Sequence, residues 1–328
     1  MLDASAEDKP VGAYLGAMTT DYPDWFKDSF LEFADDVAEA AQENRRVMII
    51  FHQDNCPYCN ALVERNFSQK HIEEKVRKHF DVIALDMWGD RDVVTVGGES
   101  YSEKEFARAL RIQFTPTILI FDEDGKVALR LNGYLPPHEF ESALEYAARR
   151  MESELDYSDY LARTAADDAG AEIFRQDFCA EPPVDLSVPD PDGRPIAALF
   201  EQRHCPNCDV LHQQVLSDAT TRTVAQQLRC VQLDMWSQAQ VTLPSGEDLT
   251  AREWARRLKV KYAPTIVLFD QEGREVMRSE AYFKAFHTQS ILDYVGSGAY
   301  RTEPEFQRYL SDRANRIRSQ GTDVDIWK

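Results

Sequence analysis

This chain repeats itself, and the repeat limits what it can fold into more than any other feature. Cys56-Pro57-Tyr58-Cys59 answers to Cys205-Pro206-Asn207-Cys208, a displacement of 149 residues, and Leu85-Asp86-Met87-Trp88 answers to Leu233-Asp234-Met235-Trp236, a displacement of 148. Phe114-Thr115-Pro116-Thr117-Ile118 is matched by Tyr262-Ala263-Pro264-Thr265-Ile266, and Tyr160-Leu161 by Tyr309-Leu310. Agreement across landmarks so far apart means two copies of one structural unit. Each copy, at roughly 145 residues, lies within the size that builds a single core. The copies read as residues 20–165 and 196–315, with an extended, proline-rich junction over 166–195 and a tail over 316–328.

The order of elements within a copy predicts the fold. The apolar runs Val47-Met48-Ile49-Ile50-Phe51 and Ile196-Ala197-Ala198-Leu199-Phe200 read as buried parallel strands. Each leads into a Cys-x-x-Cys helix and then a strand ending in Asp-Met-Trp. Ser102 with Glu105, and Thr250 with Glu253, form Ser/Thr-x-x-Glu capping boxes that start a further helix. Pro116 and Pro264 cannot donate to a strand ladder, so each marks the beginning of a strand. An Asp-x-x-Gly turn then leads to another strand and a last helix. The expectation is an α/β protein of two domains, each a βαβ unit followed by a ββα unit, with a central mixed sheet flanked by helices.

That order places each cysteine pair where a strand meets a helix N-terminus. Unpaired backbone N–H groups and the positive end of the helix dipole there favour thiolate over thiol, which makes a cysteine reactive. The residues between the cysteines differ, Pro-Tyr in one copy and Pro-Asn in the other. A zinc ribbon is set aside, because 145 residues separate the pairs, whereas such sites use roughly 15–20.

Composition excludes other classes. With 57 acidic against 37 basic residues, a formal charge of −20 opposes nucleic acid or an anionic membrane surface as partner. No apolar run approaches the roughly 18 residues that suggest membrane insertion. Residues 1–20 carry Asp3, Glu7 and Asp8 in place of a basic segment and an apolar core, so no signal peptide is expected.

Both halves resemble thioredoxin-fold proteins, and in detail the SoxW-type thioredoxins of bacterial sulfur-oxidation systems. The residues that carry this are the two Cys-Pro-x-Cys motifs, the Asp-Met-Trp steps, the hairpin sequences around Val94-Thr95-Val96-Gly97-Gly98-Glu99 and Val241-Thr242-Leu243-Pro244-Ser245-Gly246-Glu247, the Thr/Ala-Pro-Thr steps, and Gly133-Tyr134-Leu135-Pro136-Pro137. The resemblance implies thiol–disulfide oxidoreductase chemistry with no cofactor beyond redox-active disulfides Cys56–Cys59 and Cys205–Cys208, and no metal. Cys56 and Cys205 would attack a target disulfide, and Cys59 and Cys208 would resolve the mixed disulfide. Pro116 and Pro264, in cis, would face the sulfurs, with Thr115 and Ala263 offering backbone groups to an extended substrate. Partners would be protein disulfides and a thiol electron donor. The compartment would be the periplasm, or the cytoplasm if the chain is not a mature secreted form. One family feature is missing: the buried carboxylate six residues before the nucleophile is Ile50 in one copy and Leu199 in the other.

Several residues admit two readings. Trp88 and Trp236 fall at the active-site rim, either touching substrate or capping the core. His52 and Glu201, four residues before each nucleophile, are either groups that tune the thiol pKa in opposite directions, an imidazolium favouring the thiolate and a carboxylate disfavouring it, or strand-end residues that point into solvent or meet local backbone. Cys230 reads as a buried, inert thiol, and Cys179, in the irregular junction, as an exposed spare thiol or an exchange partner. A rival function is a non-catalytic tandem scaffold with static disulfides, and a thiol-ligated metal carrier stands behind it.

Overall fold

The computed structural model describes residues 10–164, 173–203 and 205–328. The acidic residues Asp3, Glu7 and Asp8, on which the leader reading rests, and part of the junction lie outside them.

The N-terminal segment carries β1 (Tyr14–Leu15), and the first domain then runs α1 (Phe33–Gln42), β2 (Arg46–His52), α2 (Pro57–Ala61), α3 (Lys70–His79), β3 (Phe80–Asp86), β4 (Asp92–Val94), β5 (Ser100–Ser102), α4 (Glu103–Ala109), β6 (Thr117–Phe121), β7 (Val127–Asn132), α5 (Pro137–Ala148) and α6 (Tyr157–Thr164). Its sheet has the order β3-β2-β6-β7, with β2 and β3 parallel and the other pairs antiparallel. Both faces of β2 are buried: Met48 and Ile50 join one apolar cluster, Val47, Ile49 and Phe51 another. A strand covered on both faces reads as a continuous apolar run, which is why these residues do not alternate with polar ones.

The second domain contains β8 (Cys179–Ala180), β9 (Val184–Asp185), β10 (Ile196–Glu201), α7 (Pro206–Val210), α8 (Ala219–Ala225), β11 (Arg229–Asp234), β12 (Gln240–Thr242), β13 (Asp248–Thr250), α9 (Ala251–Arg257), β14 (Thr265–Phe269), β15 (Glu275–Ser279), α10 (Ala285–Gly296) and α11 (Phe306–Ser319). Its sheet runs β15-β14-β10-β11-β8. The copies match down to a π-helical turn after each Cys-x-x-Cys helix, at Leu62–Phe67 and Leu211–Leu216. Both capping boxes form. The stretch read as an extended junction supplies β8 and β9, which pair with β11 and β12.

The two domains share their cores. The apolar cluster around Phe283, Phe306 and Leu310 of the second domain includes Cys56, Tyr58, Cys59 and Phe114 of the first, while the first domain's cluster around Leu135, Phe140 and Tyr157 includes Tyr262 of the second. Polar contacts seal the rim: Asn132 Nδ2 donates to Glu280 Oε2 at 2.6 Å and Lys261 Nζ to the Arg130 carbonyl at 2.8 Å. The ends of the chain are also tied together, because β1 pairs in parallel with β16 (Val324–Asp325). Gly12 allows that approach. A Cβ there would sit 2.1 Å from the Thr322 carbonyl oxygen.

Candidate active sites

Cys56 caps the N-terminus of α2, and its Sγ accepts the backbone N–H of Cys59 at 3.1 Å. Cys205 does the same at α7, accepting the Cys208 N–H at 3.0 Å. Proline at the first helical position wastes no donor, since that N–H has no intrahelical partner. Both pairs are disulfide-bonded. The peptide bonds Thr115–Pro116 and Ala263–Pro264 are cis, and each brings the preceding residue to the nucleophile: Cys56 Sγ lies 3.5 Å from the Thr115 carbonyl oxygen, Cys205 Sγ 3.4 Å from that of Ala263. The first site has one donor the second lacks, because the Thr115 hydroxyl points at Cys56 Sγ from 3.3 Å.

A family model described as "Thioredoxin-like domain" matches residues 33–148 and again 183–296. The chain belongs to the thioredoxin-like domain family. No curated protein matches it. Among solved structures it is similar to a thioredoxin-fold protein from Helicobacter pylori, 15% identical over 47% of this chain and 97% of that one with a TM-score of 0.34. It is also similar to a thioredoxin from Thermus thermophilus, 24% identical over 40% and 86% of the two chains with a TM-score of 0.28. A disulphide isomerase from Xylella fastidiosa is 18% identical over 45% and 98%, with a TM-score of 0.27.

In each thioredoxin-like domain the tryptophan of Asp-Met-Trp serves the loop before the nucleophile. Trp88 Nε1 donates to Gln53 Oε1 at 3.0 Å and Trp236 Nε1 to Gln202 Oε1 at 3.1 Å. His52, at the end of β2, packs against Tyr22 at 4.7 Å between ring centres with the rings tilted by 46°, and burial lowers its pKa. That direction favours the neutral ring.

Glu201 does not face solvent. It is wholly buried, with Oε1 2.6 Å from His212 Nε2, while Gln232 Nε2 donates to Oε2 at 2.6 Å. Gln176 Nε2 reaches His212 Nδ1 at 2.8 Å, and Phe174 stacks on the His212 ring. Nothing in the first copy signals this network, since Val63 stands where His212 does.

The reading of Cys179 and Cys230 as separate thiols is corrected: they form a disulfide. The parallel pairing of β8 with β11 makes them direct cross-strand partners. This bond pins the segment that carries Phe174 and Gln176 to the second sheet. Among the described residues, no three His, Cys, Asp or Glu side chains cluster as a metal site, and no helix is long and apolar enough to cross a membrane.

The two sites differ most in their surroundings. Pro57, Tyr58 and Thr115 are buried, whereas Pro206 is exposed and Asn207 and Ala263 are half-buried. Tyr58 inserts between Phe283 and His287 of the second domain and Trp327 of the C-terminal tail, at 5.1 to 5.2 Å between ring centres, and its hydroxyl oxygen accepts the Lys284 N–H at 3.0 Å. Asn207 Nδ2 donates to Glu139 Oε1 at 2.9 Å, and burial pushes that carboxyl up to about 7. A cavity of about 660 Å3 lies between the domains, bounded by Tyr58, Glu139, Asn207, Tyr262 and Ala263.

Proposed function

We propose that this protein is a thiol–disulfide oxidoreductase that reduces disulfides with two Cys-x-x-Cys dithiols. The observation that carries the reading is the same in both copies: the first cysteine caps a helix, its sulfur receives a backbone N–H, and a cis-proline brings a carbonyl to within 3.5 Å of it. In the reduced state that N–H and the helix dipole would favour thiolate at Cys56 and Cys205. The thiolate attacks a target disulfide, forms a mixed disulfide and expels one target thiolate. Cys59 or Cys208 then attacks its neighbour's sulfur, releasing the second target thiol and closing the protein disulfide. Substrates are protein disulfides, and a thiol donor restores the dithiols. On sequence resemblance the setting is SoxW-like, serving sulfur-oxidation proteins in the periplasm.

Insulin reduction driven by dithiothreitol tests the activity. The wild-type chain should exceed the uncatalysed rate, and replacing Cys56 and Cys205 together by serine should abolish the excess. Cys208→Ser should trap a mixed disulfide. A wild-type rate equal to background would favour the rival scaffold with static disulfides.

A further inference from the structure

Resting on the oxidoreductase reading, we propose that the two dithiols take substrates of different size: Cys56–Cys59 reacts with a low-molecular-weight disulfide, and Cys205–Cys208, where Pro206 is exposed and Asn207 and Ala263 are half-buried, is the more open to a protein chain. The approach to the first site is covered by the second domain. Gln307 of α11 donates its side-chain N–H to the Gln113 carbonyl at 2.8 Å, on the segment that leads to Thr115, and its Oε1 accepts from Gln53 at 3.1 Å. Phe114 stacks on Phe283 at 5.1 Å and packs against Phe306 at 5.5 Å. An extended chain pairing beside Thr115 would have to displace α11 and expose these rings.

What remains beside Cys56 is a cavity of about 310 Å3, bounded by Cys56, Thr115, His287, Ser311, Asn315 and Arg318. Sites for small molecules range over roughly 300–1,000 Å3, so this one is at the small end. Its wall combines the Ser311 hydroxyl and the Asn315 amide with the apolar side chains of Phe283, Leu310 and Ile326, while the Arg318 guanidinium donates to the Gly12 carbonyl at 2.8 Å, so a small compound with both polar and apolar parts fits it.

The reaction balances within the site. The Cys56 thiolate attacks one sulfur of RSSR, forming Cys56–S–S–R and releasing RS⁻. The Cys59 thiolate attacks Cys56 Sγ and expels the second RS⁻. The dithiol loses two electrons, RSSR gains two, and the protons given up by the cysteines go to the released thiolates.

The test uses the full chain in two variants, Cys205→Ser with Cys208→Ser, and Cys56→Ser with Cys59→Ser. Each is reduced with dithiothreitol, freed of it, and mixed with hydroxyethyl disulfide or with insulin, and oxidation of the remaining dithiol is followed by alkylation and peptide mass spectrometry. The ratio of insulin rate to hydroxyethyl disulfide rate should be more than tenfold lower for the first dithiol than for the second. A difference of tenfold or less overturns the proposal, as does a first dithiol inert to hydroxyethyl disulfide while the second reacts. If neither dithiol reacts with either disulfide, the oxidoreductase reading itself falls. Gln307→Ala, which removes both hydrogen bonds that hold α11 beside the Gln113–Thr115 segment, should raise insulin oxidation of the first dithiol at least tenfold with less than threefold change for hydroxyethyl disulfide. An unchanged insulin rate in that variant, with hydroxyethyl disulfide reactivity intact as a check of folding, counts against the cover.

Discussion

Phe114 and Tyr262 hold the same position in the two copies, two residues before the cis-proline, and each is buried in the core of the other copy. Phe114 packs on Phe283 and Phe306, and Tyr262 lies 5.8 Å from Tyr157 between ring centres. One strand-entry residue per domain thus holds the pair together, directly beside the dithiols.

Removing that anchor should weaken both domains at once. Phe114 is 5% exposed, and deleting a buried phenylalanine side chain costs about 3–5 kcal/mol. Urea unfolding of Phe114→Ala should show that loss, and fluorescence and circular dichroism transitions that coincide in the wild type should separate. A loss below about 1 kcal/mol would mean that the rings touch without supporting each other.

The Cys179–Cys230 bond closes a loop with a sequence separation of 51. Disulfides typically contribute about 2–4 kcal/mol, so replacing both cysteines by alanine should lower stability by that amount under oxidising conditions. Amide exchange in residues 173–180 should accelerate, because the strand pairing of β8 with β11 is short. Insulin reduction should persist. Its loss would place this bond in the electron path.

Glu139 makes stability depend on pH. Burial raises its folded pKa from 4.5 to about 7, so the protein is favoured while the carboxyl stays protonated. That stability is fully present below about 4.5 and is lost as pH rises through about 7. Glu139→Gln should therefore be more stable than wild type at pH 8, by at most about 3 kcal/mol and less for the part of the side chain that meets water, with no gain at pH 4. Urea midpoints at the two pH values decide it.

His287 acts with the opposite sign. Burial lowers its pKa from 6.5 to about 4, so the neutral ring against Tyr58 stabilises the fold above about 6.5, and this is lost as pH falls toward 4. His287→Phe should flatten the acid side of the stability profile by up to about 3 kcal/mol. An unaltered profile would show that the cover over Cys56 does not loosen with acid.

Local features of this protein were legible in the sequence. The cysteine pairs, the prolines that open β6 and β14, the capping boxes and the repeat itself each follow from the backbone needs of a few adjacent residues. The mixed sheet followed from their order. His52 and Glu201 were visible as titratable groups four residues before the nucleophiles, but not as a shielded ring and a buried hydrogen-bonded carboxylate. That depends on Tyr22 in one case, and on His212 and Gln232 in the other.

By itself, the sequence determined that there are two thioredoxin-like units, each with a dithiol at a helix N-terminus, because hydrophobic periodicity, caps and prolines act over a few residues. Only the tertiary structure decided that Cys179 meets Cys230, that α11 and Tyr58 close over the first dithiol, and that Phe114 and Tyr262 cross between the units. An apolar residue looks the same in the sequence whether it enters its own core or its neighbour's. Burial rewards both alike, and the choice rests on which surfaces fit once both copies have folded.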